Sequence, residues 1–97
     1  MSTTEELASA RKIRLNLANQ LESLLARPLE CEADIEPWRD NASQVEAYIG
    51  EHWSRLEVEA PHHLYHYFSD ADIRVKEPEY RQDQEDAVRE FIAELRA

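Results

Sequence analysis

The chain reads as an all-α protein, a small single-domain bundle of three long helices plus one short or broken helix. Three observations predict this class. Apolar residues recur at a spacing of three and four along most of the chain, which places them on one face of a helix. A single glycine among 97 residues leaves no glycine-dependent hairpin turns. Four prolines, at 28, 37, 61 and 78, fall between the periodic stretches and punctuate them. Ninety-seven residues suit one domain, taken here as residues 1–97. Regular apolar recurrence at 42% hydrophobic content argues against disorder despite 33% charged residues.

The first helix is expected over about 4–26. Thr3 and Glu6 have the spacing of a capping box, which would satisfy amide donors at the helix start. Leu7, Ala10, Ile13, Leu17, Leu21, Leu24 and Leu25 share one face, and Pro28 stops the helix. Leu15 lies across from that stripe, as a stray exposed leucine or part of a second contact surface. Residues 28–40 read as a linker. Glu30, Glu32, Asp34 and Glu36 occupy every second position, so they cannot line one helical face, and an extended solvated segment is expected. The segment lacks the glycine and bidentate glutamate of a calcium loop.

A second helix is expected over 41–58, with Asp40 or Asn41 as N-cap. Ala42, Val45, Ile49, Trp53 and Leu56 form its stripe, flanked by Tyr48 and His52. Gly50 in its interior costs about 1 kcal/mol against alanine and suggests close approach of another helix. Over 61–76, with Pro61 in the first turn, Leu64, Tyr67, Phe68, Ala71 and Val75 share a face. His62, His63 and His66 then point the other way, near Ile73. Ser69 and Asp70 offer an alternative cap that would break this segment in two. Glu77 and Pro78 open the last helix, over 78–96, where Tyr80, Gln84, Ala87, Val88, Phe91, Ile92 and Leu95 form a broad stripe.

Charge and cysteine usage narrow the function classes. The formal charge is −10, and it is unevenly distributed. Residues 1–27 carry three acids and four bases; residues 28–60 carry nine and two; residues 61–97 carry nine and five. Such a surface repels phosphates, so direct nucleic-acid binding is not expected, and it steers association with a basic partner. Arg11, Lys12 and Arg14 make the one basic cluster, too small for nucleic acid but able to meet the acidic remainder of another copy. With one cysteine, Cys31, no internal disulfide can form. No apolar run reaches the roughly 18 residues needed to span a bilayer, and the Glu5-Glu6 start does not read as a signal peptide. A cytoplasmic location, with no membrane contact, is the expectation.

The densest chemistry lies at His62-His63-Leu64-Tyr65-His66-Tyr67-Phe68, which holds three of the four histidines and three of the eight aromatics. Histidine titrates near neutrality and is the commonest metal ligand. His62 and His66 stand at i, i+4 and His63 three residues before His66, so all three together are a candidate metal site, with Glu59 and Asp70 nearby. The chain lacks the His-Glu-x-x-His of zinc proteases and the paired Glu-x-x-His of di-iron bundles. No other catalytic equipment appears. Cys31 lies among Glu30, Glu32 and Asp34, whose charge opposes a thiolate. The serines have no G-x-S-x-G setting, and no glycine-rich loop exists to cradle phosphate.

Asp70 and Asp72 would point about 160° apart on a helix, too far apart to share one proton. Asp70 and Arg74, at i, i+4, suit a local ion pair. Aromatics dominate interface hot spots, and helical spacing leaves Tyr65 off the buried stripe, whereas Trp53 and Tyr67 suit the core. The expected partner-binding surface is therefore His62, His63, Tyr65 and His66, with Asp70 and Asp72 as a carboxylate rim. The function expected is that of a non-catalytic acidic module with no cofactor, binding a basic partner protein as an inhibitor, immunity-type or regulatory protein. In size and composition the chain is similar to small acidic helical inhibitors such as nuclease immunity proteins, a likeness of general plan that no motif supports. A histidine-dependent metal protein and a structural homodimer that uses Leu15 are the alternatives.

Overall fold

Every element that forms is helical, because each stretch of helical periodicity finds another to bury its apolar stripe against. A computed structural model describes residues 2–56 and 61–97, with residues 2–8 and Trp53 described by their backbone alone. The helices are α1 (Ser2–Ala26), α2 (Ile35–His52), α3 (His62–Ser69), α4 (Ala71–Lys76) and α5 (Pro78–Arg96), with short 3-10 turns at Glu32–Asp34 and Trp53–Arg55. The expected all-α class holds, with no strand among the described residues. The capping box of Thr3 and Glu6, the packing of Leu7 and of the Trp53 side chain, and Glu59 lie outside the residues described in that detail. No described helix is long and apolar enough to cross a membrane.

Helix α1 packs along α5 and α2, while α3 and α4 close the assembly against α5 and α2. The core is built from the expected stripes. Ile13, Leu17, Leu21 and Leu24 of α1 meet Val45 and Ile49 of α2, Leu64, Tyr67 and Phe68 of α3, and Val88, Phe91, Ile92 and Leu95 of α5. Pro78 takes the first position of α5, where its missing N–H costs nothing. The side chain of Arg14 reaches across to donate from Nη1 to the Leu56 carbonyl at 3.2 Å. Leu15, expected to be exposed, is half-buried.

The structure differs from the expected segmentation at the second helix. Helix α2 begins at Ile35, six residues before the expected start, so the solvated linker 28–40 is largely replaced by structure. Asp34 makes this possible. Its Oδ2 accepts from the amide of Glu30 at 2.9 Å and of Cys31 at 3.4 Å, tying the acidic segment into a 3-10 turn. Pro37 is tolerated because the first-turn amides of a helix have no intrahelical acceptor. Asp40 and Asn41 are therefore interior residues rather than caps, and the Asn41 Nδ2 donates to the Pro37 carbonyl at 2.9 Å. The early start carries Trp38 into the core, where it is 2% exposed. Its Nε1 donates to the Leu24 carbonyl at 3.3 Å, a second bond to a carbonyl that also accepts from the Arg27 amide at 3.2 Å. Between the two readings of residues 61–76, the structure takes the broken one: Asp70 divides the segment into α3 and α4.

Candidate functional site

Helix α3 owes its orientation to Pro61 and to three buried residues. Pro61, in extended backbone (φ −70°, ψ 151°), stands just before the helix rather than in its first turn, and its carbonyl accepts from the Leu64 amide at 3.0 Å. Leu64, Tyr67 and Phe68 are buried, which fixes the helix about its axis. His62, His63, Tyr65 and His66 are consequently turned to solvent. Tyr65, at 42% exposure, is the one large hydrophobic residue exposed among those described. Its ring stands edge-on to Phe68 with centroids 6.4 Å apart, and its carbonyl accepts from the Ser69 hydroxyl at 2.7 Å. The rings of His62 and His66 meet at near right angles, 4.8 Å between centroids.

A shallow groove of about 420 Å³ runs beside Tyr65, lined by Glu46, Ile49 and Gly50 of α2. Farther along the same edge, Arg39 of α2 donates to the Ser69 carbonyl and to Asp72 Oδ1, each at 3.3 Å. Arg39, Glu46 and Gly50 are spaced at i, i+7 and i+11, so one stripe of α2 borders α3 from Tyr65 to Ser69.

The expected carboxylate rim is arranged differently. Asp70 does not point outward. Its Oδ2 accepts from the Tyr80 hydroxyl at 2.5 Å and from Gln84 Nε2 at 3.3 Å, tying the α3–α4 junction to α5. Tyr80 Oη also accepts from Gln84 Nε2 at 3.0 Å, and donation to Asp70 pushes the Tyr80 pKa upward. His66 Nδ1 stands 4.0 Å from Asp70 Oδ2, beyond hydrogen-bonding distance. Asp72 is exposed and already engaged by Arg39. Glu46, which the sequence reading did not single out, is the carboxylate that lines the groove.

Arg74 is the other correction. The expected surface pair with Asp70 does not form; Arg74 is 1% exposed. Its guanidinium sits in the corner between two perpendicular rings, 4.6 Å from the Trp38 centroid and 4.2 Å from that of Tyr67. Nη1 donates to the Tyr67 carbonyl and to Gln84 Oε1, both at 2.6 Å. Nε and Nη2 find no acceptor among the described residues. Burial lowers the Arg74 pKa and raises that of Tyr67. A signal for this was present: Leu64, Tyr67, Ala71 and Arg74 stand at i, i+3, i+7 and i+10, so helical spacing places the arginine on the buried stripe.

Among the described residues, no three histidine, cysteine, aspartate or glutamate side chains are grouped to hold a metal ion. Cys31 is exposed and remote in sequence from the histidines. The arrangement places an exposed tyrosine, three imidazoles and a groove with a carboxylate wall on one edge of the bundle. No protein-family model matches the chain, and neither a curated protein nor a solved structure matches it.

Proposed function

We propose that this chain is a non-catalytic binding protein that seats the outer face of α3 and the adjoining edge of α2 on a basic partner protein. One observation carries the reading: Tyr65 is left exposed on a helix whose other large apolar residues are buried. An exposed tyrosine beside an open groove supplies large contact area at low entropic cost, and tyrosine is enriched among interface hot spots. Twenty-one acids against eleven bases speed encounter with a cationic surface. His62, His63 and His66 flank the anchor as hydrogen-bonding groups, Glu46 lines the groove beside it, and Asp72 lies farther along with Arg39.

The test is capture of the partner from the native source by the immobilised chain, followed by measurement of its affinity for Tyr65→Ala. The variant is expected to bind at least about tenfold more weakly, as hot-spot truncations do, with an unchanged far-ultraviolet circular dichroism spectrum. Equal affinity would remove Tyr65 from the interface.

A further inference from the structure

Five of the seven carboxamides in this chain gather on one cleft. Asn16, Asn19 and Gln20 of α1 face Asn41 and Gln44 of α2 across an open space of about 350 Å³. They are all three asparagines and two of the four glutamines, a concentration that sets this face apart from the acidic remainder. No aspartate or glutamate lines the cleft, and Arg27 brings it a cation. Helical spacing sets Asn41 and Gln44 across α2 from Glu46 and Gly50, so this face is separate from the Tyr65 groove.

The fold leaves most of these polar groups unused. The side chains of Asn16, Gln20, Gln44 and Arg27 bond to no other group among the described residues. Asn41 engages only its Nδ2, with the Pro37 carbonyl, and Asn19 only its Oδ1, with Arg96. Internal packing therefore accounts neither for their gathering nor for the missing carboxylates. A carboxamide carries an acceptor and a pair of donors side by side. That combination matches the peptide group, which offers a C=O and an N–H together.

The layout is linear. Asn16, Gln20, Ser23 and Arg27 stand at i, i+4, i+7 and i+11, in one line along α1. The line is about 16 Å long, the reach of about five residues of extended chain. Asn16 and Gln20 lie about 6 Å apart along the axis, close to the roughly 6.8 Å between alternate peptide groups of a strand. No aromatic ring lines the cleft, so a nucleobase would find no stacking surface.

We propose that this cleft binds an extended peptide segment of about five residues through its main chain, with a carboxylate of the peptide on Arg27. Asn16, Gln20 and Gln44 exchange hydrogen bonds with its peptide groups, and the guanidinium pairs with a C-terminal or side-chain carboxylate. Reading the main chain leaves the side chains of the segment loosely selected. The inference is independent of the α3 reading, and each can fail alone.

The test adds pools of acetylated pentapeptides, with randomised neutral residues, to the full chain labelled with nitrogen-15. One pool ends in a free carboxylate, a second in an amidated aspartate, and a third is neutral and amidated. A fourth keeps the free carboxylate but is methylated on every peptide nitrogen. Saturable shifts are expected in the side-chain NH₂ signals of Asn16, Gln20, Asn41 and Gln44, with Gln82 and Gln84 unmoved. The tighter of the two charged pools identifies the source of the carboxylate. The neutral pool should bind about tenfold more weakly, and the methylated pool should not bind. Gln20→Met should weaken the charged pools about tenfold, and Arg27→Gln should bind charged and neutral pools alike. Both changes should leave the circular dichroism spectrum unaltered.

The proposal is overturned if neither charged pool moves these signals, if the methylated pool binds as well, or if acetate alone produces the same shifts. It is also overturned if either variant behaves as the parent does. Adenosine monophosphate binding here where the peptides do not would make a nucleotide the ligand and would overturn it too.

Discussion

A guanidinium removed from water loses its hydration, and at Arg74 the return comes from an unusual set of partners. Two hydrogen bonds from Nη1 to the Tyr67 carbonyl and Gln84 tie α4 to α3 and α5, and the ring faces of Trp38 and Tyr67 attract the positive charge. Among the described residues no carboxylate bonds to it; Glu85 and Asp70 attract it at longer range. Truncation to alanine removes packing against two aromatic rings and strands the Gln84 carbonyl. Arg74→Ala is expected to cost about 3 kcal/mol in urea unfolding. Arg74→Met keeps most of the stem's volume and asks for no hydration, so it should cost distinctly less. If the two variants unfold alike, the guanidinium charge rather than the packing is what matters there.

At the scale of the element, the apolar stripes of α1, α3 and α5 were legible in the chain because each follows a 3.6-residue period bounded by proline. The start of α2 was not. Four acids at alternate positions hide a helix onset when only one of them, Glu36, belongs to the helix, and Pro37 resembles a terminator until it falls in a first turn. The deciding contact is a local side-chain bond, from Asp34 back to the Glu30 and Cys31 amides, which no periodicity encodes. Asp34→Ala should therefore unlock the turn while leaving the bundle folded. Amide exchange at Glu30 is expected to quicken, with exchange at Leu21 and Phe91 unchanged. On the site itself, the outward turn of His62, His63, Tyr65 and His66 followed directly from the buried stripe of α3. The inward turn of Asp70 did not, since it depends on Tyr80 and Gln84 arriving from another helix. Gly50 was visible, but only the fold shows that no described residue closes on it.

At the scale of the whole molecule, several groups have their pKa shifted by contacts that the fold makes, and each adds a pH-dependent share of stability. The Glu22 carboxylate accepts from Arg96 at 2.9 Å, joining the C-terminal parts of α1 and α5, and this contact holds its pKa below the ordinary value of 4.5. Amide donation holds Asp34 below its ordinary 3.8. With both lowered, the folded state binds fewer protons than the unfolded chain. Their contribution is complete above the ordinary carboxyl range and is lost as pH falls through the folded values. At the other end, Tyr80 is raised by its bond to Asp70 and Tyr67 by burial. Here the folded state holds its protons longer, so the contribution is complete below pH 10 and is lost as pH climbs through the raised values. The urea midpoint should accordingly form a plateau across the neutral range, with an acid limb that begins below about pH 4.5 and an alkaline limb beyond about pH 10. Glu22→Gln should make the acid limb shallower, leaving the share of Asp34, and keep the alkaline one in place, while Tyr80→Phe should trim the alkaline limb, leaving the share of Tyr67, and keep the acid one. Any variant that moved both limbs together would show that general charge repulsion, rather than these contacts, governs the pH response of this strongly acidic bundle.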